Sequence, residues 1–358
     1  MRIAIDASRT TVARATGTEH YALELIRALI RRNTRHQLTL YFRDSPTPDL
    51  FPPSERVTQR IIPFPRLWTH GRFAAALWQD HPEVIFVPAH TLPFCFPGKA
   101  IVTVHDLGYK LFPEAHPRKQ RWYLDFTTRY SARRAAIVLA DSHATAADLT
   151  RFYHTPPEKI RVVYPGVEPP VVAADIAPIK AKYHLPERYF LFIGTLQPRK
   201  NIARIAQAYA RYRSSCANPV DLVLAGGKGW LYEENWTKDI MGIHSPGYID
   251  EADKGALFAQ AIALVFPTLY EGFGFPVIEA MHCGTPVIAS NTSSLPELVG
   301  KAGILVNPLD VDAIATAMRQ LVDDESLLDH LRKRGYDQAR QFTWDNAALQ
   351  LLPLFEPS

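Results

Sequence analysis

Short apolar runs alternate with helical patterns along the whole chain, and that alternation sets the fold class. Arg2 to Asp6, Leu38 to Phe42, Val84 to Val87, Ile101 to Val104 and Ala136 to Ala140 read as strands in the first half. Phe190 to Ile193, Asp221 to Ala225, Ala263 to Phe266, Pro286 to Ala289 and Ile304 to Val306 read as strands in the second. Runs with so few polar interruptions suit strands buried on both faces, and strands separated by helices predict an α/β protein with open, mostly parallel sheets. After the first strand, Thr16-Gly17-Thr18-Glu19 matches a capping box and opens a helix whose Tyr21, Leu25 and Leu29 share one face. Ligands of such sheets bind beyond the carboxyl ends of the strands, which makes Gly17 a candidate binding position. Near Tyr164-Pro165-Gly166 the strand pattern gives way to a Pro- and Ala-rich stretch ending about Pro178, which reads as a linker between two domains.

Composition adds bounds. A chain of 358 residues is long for one core and comfortable for two. The net charge of +4 permits contact with anionic substrates or membranes and selects neither. Cys95, Cys216 and Cys283 show no metal-ligand spacing and cannot all pair, which fits a reducing cytoplasm. No signal-peptide core follows Met1-Arg2, and no run approaches the roughly eighteen apolar residues of a spanning helix, so the expected location is cytoplasmic with any membrane contact peripheral. No P-loop is present, and no G-x-G-x-x-G follows the first strand, so P-loop hydrolysis and ordinary NAD binding lose support. Asp310-Val311-Asp312 could suggest a metal, but it precedes Ala313-Ile314-Ala315, where an aspartate caps a helix; no metal site is expected.

The densest chemistry lies at Glu271-Gly272-Phe273-Gly274-Phe275-Pro276-Val277-Ile278-Glu279. Pro276 suits the first position of a helix, which would put Glu279 in its first turn. A helix start attracts an anion, and Gly272 and Gly274 let the backbone approach it. The carboxylates of Glu271 and Glu279 would then accept hydrogen bonds from sugar hydroxyls, so the pattern points to a sugar nucleotide. Arg199 and Lys200 follow the strand Phe190 to Ile193 and precede a helix, whose dipole opposes cations there, so a compensating anion is expected. A diphosphate would supply it, with Arg199 making forked contacts and Lys200 acting as a point charge.

The Glu271 to Glu279 segment resembles the Glu-x7-Glu signature of retaining glycosyltransferases of family 4, and the resemblance runs from the first strand to Phe342-Thr343-Trp344. It implies the GT-B architecture of two facing Rossmann-like domains with the active cleft between them. The first, residues 1–168, would take the acceptor, with a last helix at 344–358 packing back on it; the second, 169–343, would bind the nucleotide sugar. It further implies that His105 reaches the donor sugar, that Glu271 supports charge on the sugar ring, that Arg199 and Lys200 stabilise the departing diphosphate, and that Glu279 holds the ribose. Gly226, Tyr248 and Ile249 would line the nucleotide site together with the Gly272 to Phe275 backbone. His105 could instead cap its strand bonded to Asp106, which could also orient it. The run Gly227-Lys228-Gly229-Trp230 is similar to that of mannosyltransferases using GDP-mannose, with a UDP-hexose as the other donor. The first loop carries Gly17 where the family often has two or three glycines.

The implied function is therefore hexose transfer, with mannose favoured, from a nucleoside diphosphate sugar to a saccharide or lipid-linked glycan, with no obligatory cofactor. Three alternatives stay open at this level: a two-carboxylate glycoside hydrolase, which the cationic pair disfavours; a PLP-bearing phosphorylase, supported by Lys200 alone; and a non-catalytic sugar-nucleotide-binding protein. Residues 117–135 interleave Arg118, Lys119, Arg121, Arg129, Arg133 and Arg134 with Trp122, Tyr123 and Tyr130, which suits either an anionic membrane surface or a domain helix with its aromatics turned inward. Nucleic acid is not expected, since no recognition motif accompanies the patch.

Overall fold

The computed structural model describes residues 1–12, 17–115, 117–229 and 231–356. Thr16 of the capping box and Trp230 of the Gly-Lys-Gly-Trp run lie outside them, as do the last two residues. By contact the chain divides into two compact units, Met1–Gly166 with Phe342–Ser358, and Val167–Gln341.

The first unit carries a seven-stranded parallel sheet in the order β3-β2-β1-β4-β5-β6-β7. Its strands are β1 Arg2–Asp6, β2 Gln37–Phe42, β3 Val57–Ile61, β4 Val84–Val87, β5 Lys99–Val104, β6 Ile137–Ala140 and β7 Ile160–Val162. The second unit carries a six-stranded parallel sheet, β10-β9-β8-β11-β12-β13. These strands are β8 Tyr189–Ile193, β9 Asp221–Ala225, β10 Ile243–Gly247, β11 Ala263–Phe266, β12 Val287–Ser290 and β13 Ile304–Val306. Each sheet grows outward from its first strand in one direction and then the other, the doubly wound order of dinucleotide-binding folds.

Every strand read from apolar runs is present, and the three that were missed are edges. β3 is exposed or half-buried throughout, so its sequence Val-Thr-Gln-Arg-Ile shows no apolar run. β7 is three residues long. β10 contains Pro246, which only an edge tolerates, and its pairing with β9 is irregular between His244 and Gly247. Central strands such as β8 and β11 are buried at every position, which is why they are legible.

The helix Trp344–Leu351 packs within the first unit against the helix Gly17–Arg32. Trp344 is buried and meets Tyr21 edge-on at 5.7 Å, while Asp345 pairs with Arg31 at 3.2 Å and Arg32 at 2.5 Å. In the second unit Asp310 caps the helix Val311–Asp323, its carboxylate accepting from the Ala313 N–H at 2.9 Å.

Candidate functional site

In the second sheet the winding direction reverses between the neighbours β8 and β11, so the loops leaving their carboxyl ends run to opposite faces and open a crevice. The loop after β8 brings Arg199 and Lys200, in the short turn Pro198–Lys200, and the loop after β11 brings Glu271. Lys200 Nζ lies 2.7 Å from Glu271 Oε1, and Arg199 Nη1 lies 3.3 Å from Oε2 while donating to the Tyr270 carbonyl at 2.5 Å. Burial raises the Glu271 pKa, but Lys200 and Arg199 outweigh it and hold the carboxyl below its ordinary value. The anion expected beside the two cations is thus present within the chain, as the Glu271 carboxylate.

Residues that the sequence did not single out fix this loop. The Glu271 N–H donates to Ser293 Oγ at 3.0 Å, and the hydroxyls of Ser293 and Ser294 both donate to the Glu271 carbonyl. Asn201, buried and left-handed at φ 64°, donates to the carbonyls of Pro267 at 2.9 Å and Pro308 at 2.7 Å, tying the β8 loop to the β11 loop. A serine pair and a lone asparagine carry no spacing signal; only the adjacency of strand ends reveals them.

The helix after Glu271 is Phe275–His282, so Pro276 occupies its second position and Glu279 lies beyond the first turn, one residue deeper than the proline placement implies. The cause is Gly274, whose φ of 128° turns the chain into the helix one residue early. Glu279 Oε1 accepts from Lys254 Nζ at 2.9 Å, whereas its Oε2 is buried with no hydrogen-bond partner among the described residues. Gly272, Phe273 and Gly274 are buried, and Phe275 meets Phe273 edge-on at 5.2 Å. Gly226 follows β9 at φ 141°, where an added Cβ would stand 2.0 Å from the Gly194 carbonyl oxygen, so only glycine fits. Ile249 is buried and Tyr248 is 73% exposed, so these neighbours do not share an environment. Lys228 is exposed and paired with Glu234.

In the first unit His105 follows β5 and Asp141 follows β6. The parallel register aligns Val104 with Ala140, which sets the next residue of each strand side by side. His105 Nδ1 lies 2.7 Å from Asp141 Oδ2, and Nε2 lies 3.3 Å from the Pro88 carbonyl oxygen. The Asp106 carboxylate accepts from the Gly108 N–H at 2.8 Å, turning the chain, and its charge adds to that of Asp141 in favouring the protonated ring. Burial disfavours a charged imidazole, but Asp141 prevails and His105 sits above its ordinary pKa. Two acceptors on the two ring nitrogens suit the doubly protonated form. His90, 5.3 Å away ring to ring, is pushed the other way, down to about 3, by burial and by His105. Gly17 is the exposed first residue of its helix.

The chain matches known proteins over nearly its full length. Residues 15–170 match the family described as Glycosyltransferase Family 4, and residues 175–338 match Glycosyl transferases group 1. The chain is 31% identical to the O-antigen chain mannosyltransferase B of Escherichia coli, over 95% of this chain and 96% of that one. Among solved structures it is similar to a sucrose-phosphate synthase from Thermosynechococcus elongatus, with 24% identity, a TM-score of 0.75, and 99% and 98% of the two chains covered. It is also similar to Anabaena Alr3699/HepE, solved in complex with UDP-glucose, with 16% identity, a TM-score of 0.72, and 99% and 100% covered. The structures show the fold and the relative shows the family: this chain has the GT-B fold and is a hexosyltransferase of glycosyltransferase family 4.

Proposed function

We propose that the chain transfers a hexose, mannose in preference, from a nucleoside diphosphate sugar to a saccharide or lipid-linked glycan acceptor with retention of anomeric configuration. The observation that carries this reading is the Lys200–Glu271–Arg199 cluster at the β8–β11 switch point. A donor diphosphate would take over the two cations, with the positive end of the helix Phe275–His282 beside it, and free Glu271 to turn to the sugar. The bond from the anomeric carbon to the β-phosphate oxygen then breaks as the acceptor oxygen attacks the same face, and the acceptor proton passes to the departing phosphate. Arg199 and Lys200 stabilise the leaving charge, an effect of about 3–4 kcal/mol per donor in comparable sites, so the protein's own cations serve where other transferases use a metal. Glu271 supports positive charge on the ring.

In this reading the second unit binds the nucleotide sugar: Gly226, Tyr248, Ile249 and the Gly272 to Phe275 backbone line the nucleotide site, and Glu279 accepts from the ribose through its open Oε2. The first unit takes the acceptor and supplies His105, in its charged form, to a donor-sugar hydroxyl, with Gly17 at the same sheet end. Mannose is supported by the likeness to an O-antigen mannosyltransferase, and GDP-mannose by the Gly227-Lys228-Gly229-Trp230 run. The second reading, a UDP-hexose, is favoured by the fold's likeness to a protein solved with UDP-glucose. We place the enzyme in the cytoplasm, touching an anionic membrane peripherally through the helix Arg118–Arg134; no helix among the described residues is long and apolar enough to cross a bilayer.

Thermal stability against GDP, UDP, ADP, GDP-mannose and UDP-glucose tests the donor. A ligand of the native state at 100 times its Kd adds about 2.7 kcal/mol, so selective stabilisation by GDP and GDP-mannose is expected. Stabilisation by the uridine pair alone would move the reading to UDP-hexose, and none by any of the five would overturn both.

A further inference from the structure

The helix Arg118–Arg134 partitions its side chains in an unusual way. Its buried positions are Thr127, Thr128, Ser131 and Ala132, while Trp122 is 68% exposed and Tyr123 and Phe126 are also exposed. Trp122 and Phe126, one turn apart, stack at 5.6 Å with 7° between their planes, and exposed Phe94 meets both Phe126 and Tyr130 edge-on. An aromatic ridge on the surface is thus assembled by ring contacts rather than left over from core packing, and contiguous apolar patches of this kind mark contact sites.

Two cavities open beside this ridge and share the same two arginines. One, of about 500 Å³, is lined by Arg129, Arg133, Phe152, Tyr153, His154 and Lys159 among others. The other, of about 360 Å³, is lined by Phe126, Arg129, Tyr130, Arg133 and Arg134. Arg129 and Arg133 stand four residues apart on one helix face, where like charges repel. Among the described residues neither guanidinium has a carboxylate within 4 Å. The nearest acid on the helix, Asp125, is already paired with Lys110 and accepts from the Tyr153 hydroxyl at 2.7 Å. Lys159 is committed as well, donating to the carbonyls of Ala132 and Arg133 at 3.1 and 2.9 Å and so fixing the end of the helix. Arg129 lies over the Tyr153 ring at 5.6 Å and feels Asp125 only at longer range. Two guanidiniums outside any ion pair among the described residues, at the junction of a basic cavity and an aromatic one, fit a phosphate that carries an apolar chain.

We propose that Arg129 and Arg133 bind the phosphate of one anionic bilayer phospholipid, with its acyl chain along Phe126 and Tyr130 and Trp122 in the interfacial layer. This deepens the peripheral-membrane reading and rests on it, but it asserts more: a saturable site for one headgroup, where general attraction to negative charge would count cations wherever they stand.

The test uses dihexanoyl phosphatidate, which is monomeric in water, titrated into the full chain by calorimetry beside inorganic phosphate. Saturable binding of the lipid is expected, at least about ten-fold tighter than phosphate because the chain adds apolar burial. Arg129→Gln with Arg133→Gln should weaken it by about ten-fold or more. Arg118→Gln with Lys119→Gln removes the same charge from the exposed first turn and should change affinity less than about two-fold, as screened charges do. Equal losses from the two pairs, or phosphate binding as tightly as the lipid, would overturn the site. Flotation with mixed phosphatidylcholine and phosphatidylglycerol vesicles separates the two claims. If wild type ignores the vesicles, the membrane reading falls and the site with it; if wild type and the Arg129/Arg133 variant float alike, membrane contact stands and the site fails.

Discussion

The two sheets share a winding order and differ in what they place at their strand ends. Beyond β8 and β11 stands a buried carboxylate, Glu271, held below its ordinary pKa between the half-buried Lys200 ammonium and Arg199 guanidinium. Beyond β5 and β6 stands a single imidazole–carboxylate pair, His105 and Asp141, with His90 nearby held neutral. Fixed cations are what a diphosphate needs, since it is anionic at any working pH. A proton-bearing ring suits a neutral hydroxyl, which needs a directed donor more than a field. The same backbone plan therefore serves two kinds of recognition, and the difference lies in a handful of residues just past the strands.

The largest effect expected from breaking that contrast is at Glu271. Glu271→Ala should lower transfer by about 10²–10³-fold, the range seen when a group aimed at transition-state charge is removed, while circular dichroism stays unchanged. Wild-type turnover in that variant would remove Glu271 from the chemistry. Next comes Lys200→Met. It should weaken nucleoside diphosphate binding by about ten-fold or more and leave nucleoside binding nearly unchanged, because the charge contacts only phosphate. It should also destabilise the second unit, by less than the roughly 3–5 kcal/mol typical when a buried ion loses its partner, since Arg199 remains on Glu271. Equal loss of nucleoside and nucleotide affinity would mean that Lys200 shapes the pocket rather than the phosphate contact.

How much of this could be read from the chain follows from where the information sits. Central strands such as β8 announce themselves because burial on both faces forces an apolar run, and Glu271, Arg199 and Lys200 stand out because charge beside glycine and proline is locally conspicuous. Their mutual pairing was not legible, since it depends on β8 and β11 being neighbours across more than seventy residues. Asp141 illustrates the same limit: the nearer Asp106 was the natural partner for His105 until the β5–β6 register set Asp141 beside the ring. A rule that the first polar residues after adjacent parallel strands meet finds His105 with Asp141; after β8 and β11 it stops at Thr195 and Thr268, short of Lys200 and Glu271. Ser293 and Ser294 lie past that rule, because they bond through backbone atoms that no side-chain pattern encodes.

The first sheet's site should respond to pH in the opposite sense to the second's. His105 is raised above its ordinary value, so its charged form adds stability fully present below about pH 6.5 and lost as pH rises through the folded value. Glu271 is depressed, so its contribution is present above about pH 4.5 and lost as pH falls through its folded value. Asp141→Asn removes the partner that outweighs burial, and the His105 resonance in NMR should then titrate below about pH 6.5. A His105 titration unmoved by that change would assign the shift to some other group.

The smallest effect expected sharpens the second site from within. Lys254 holds one oxygen of Glu279 at 2.9 Å and also meets Glu251 at 3.0 Å, which leaves Glu279 Oε2 buried and without a hydrogen-bond partner among the described residues. A buried acceptor without a donor costs about 1–3 kcal/mol, and a ribose hydroxyl would recover it. If Lys254 orients that carboxylate, Lys254→Met should raise KM for the donor by about five-fold with kcat nearly constant, the pattern of lost ground-state binding. It should also narrow the gap between the natural donor and its 2′-deoxy analogue, because a carboxylate free to rotate no longer favours the hydroxyl it was aimed at. Lys254→Arg, which keeps the charge and the donor, should restore most of the gap. A merely structural lysine would weaken both donors alike, and that result would detach Lys254 from ribose recognition while leaving the Glu271 cluster untouched.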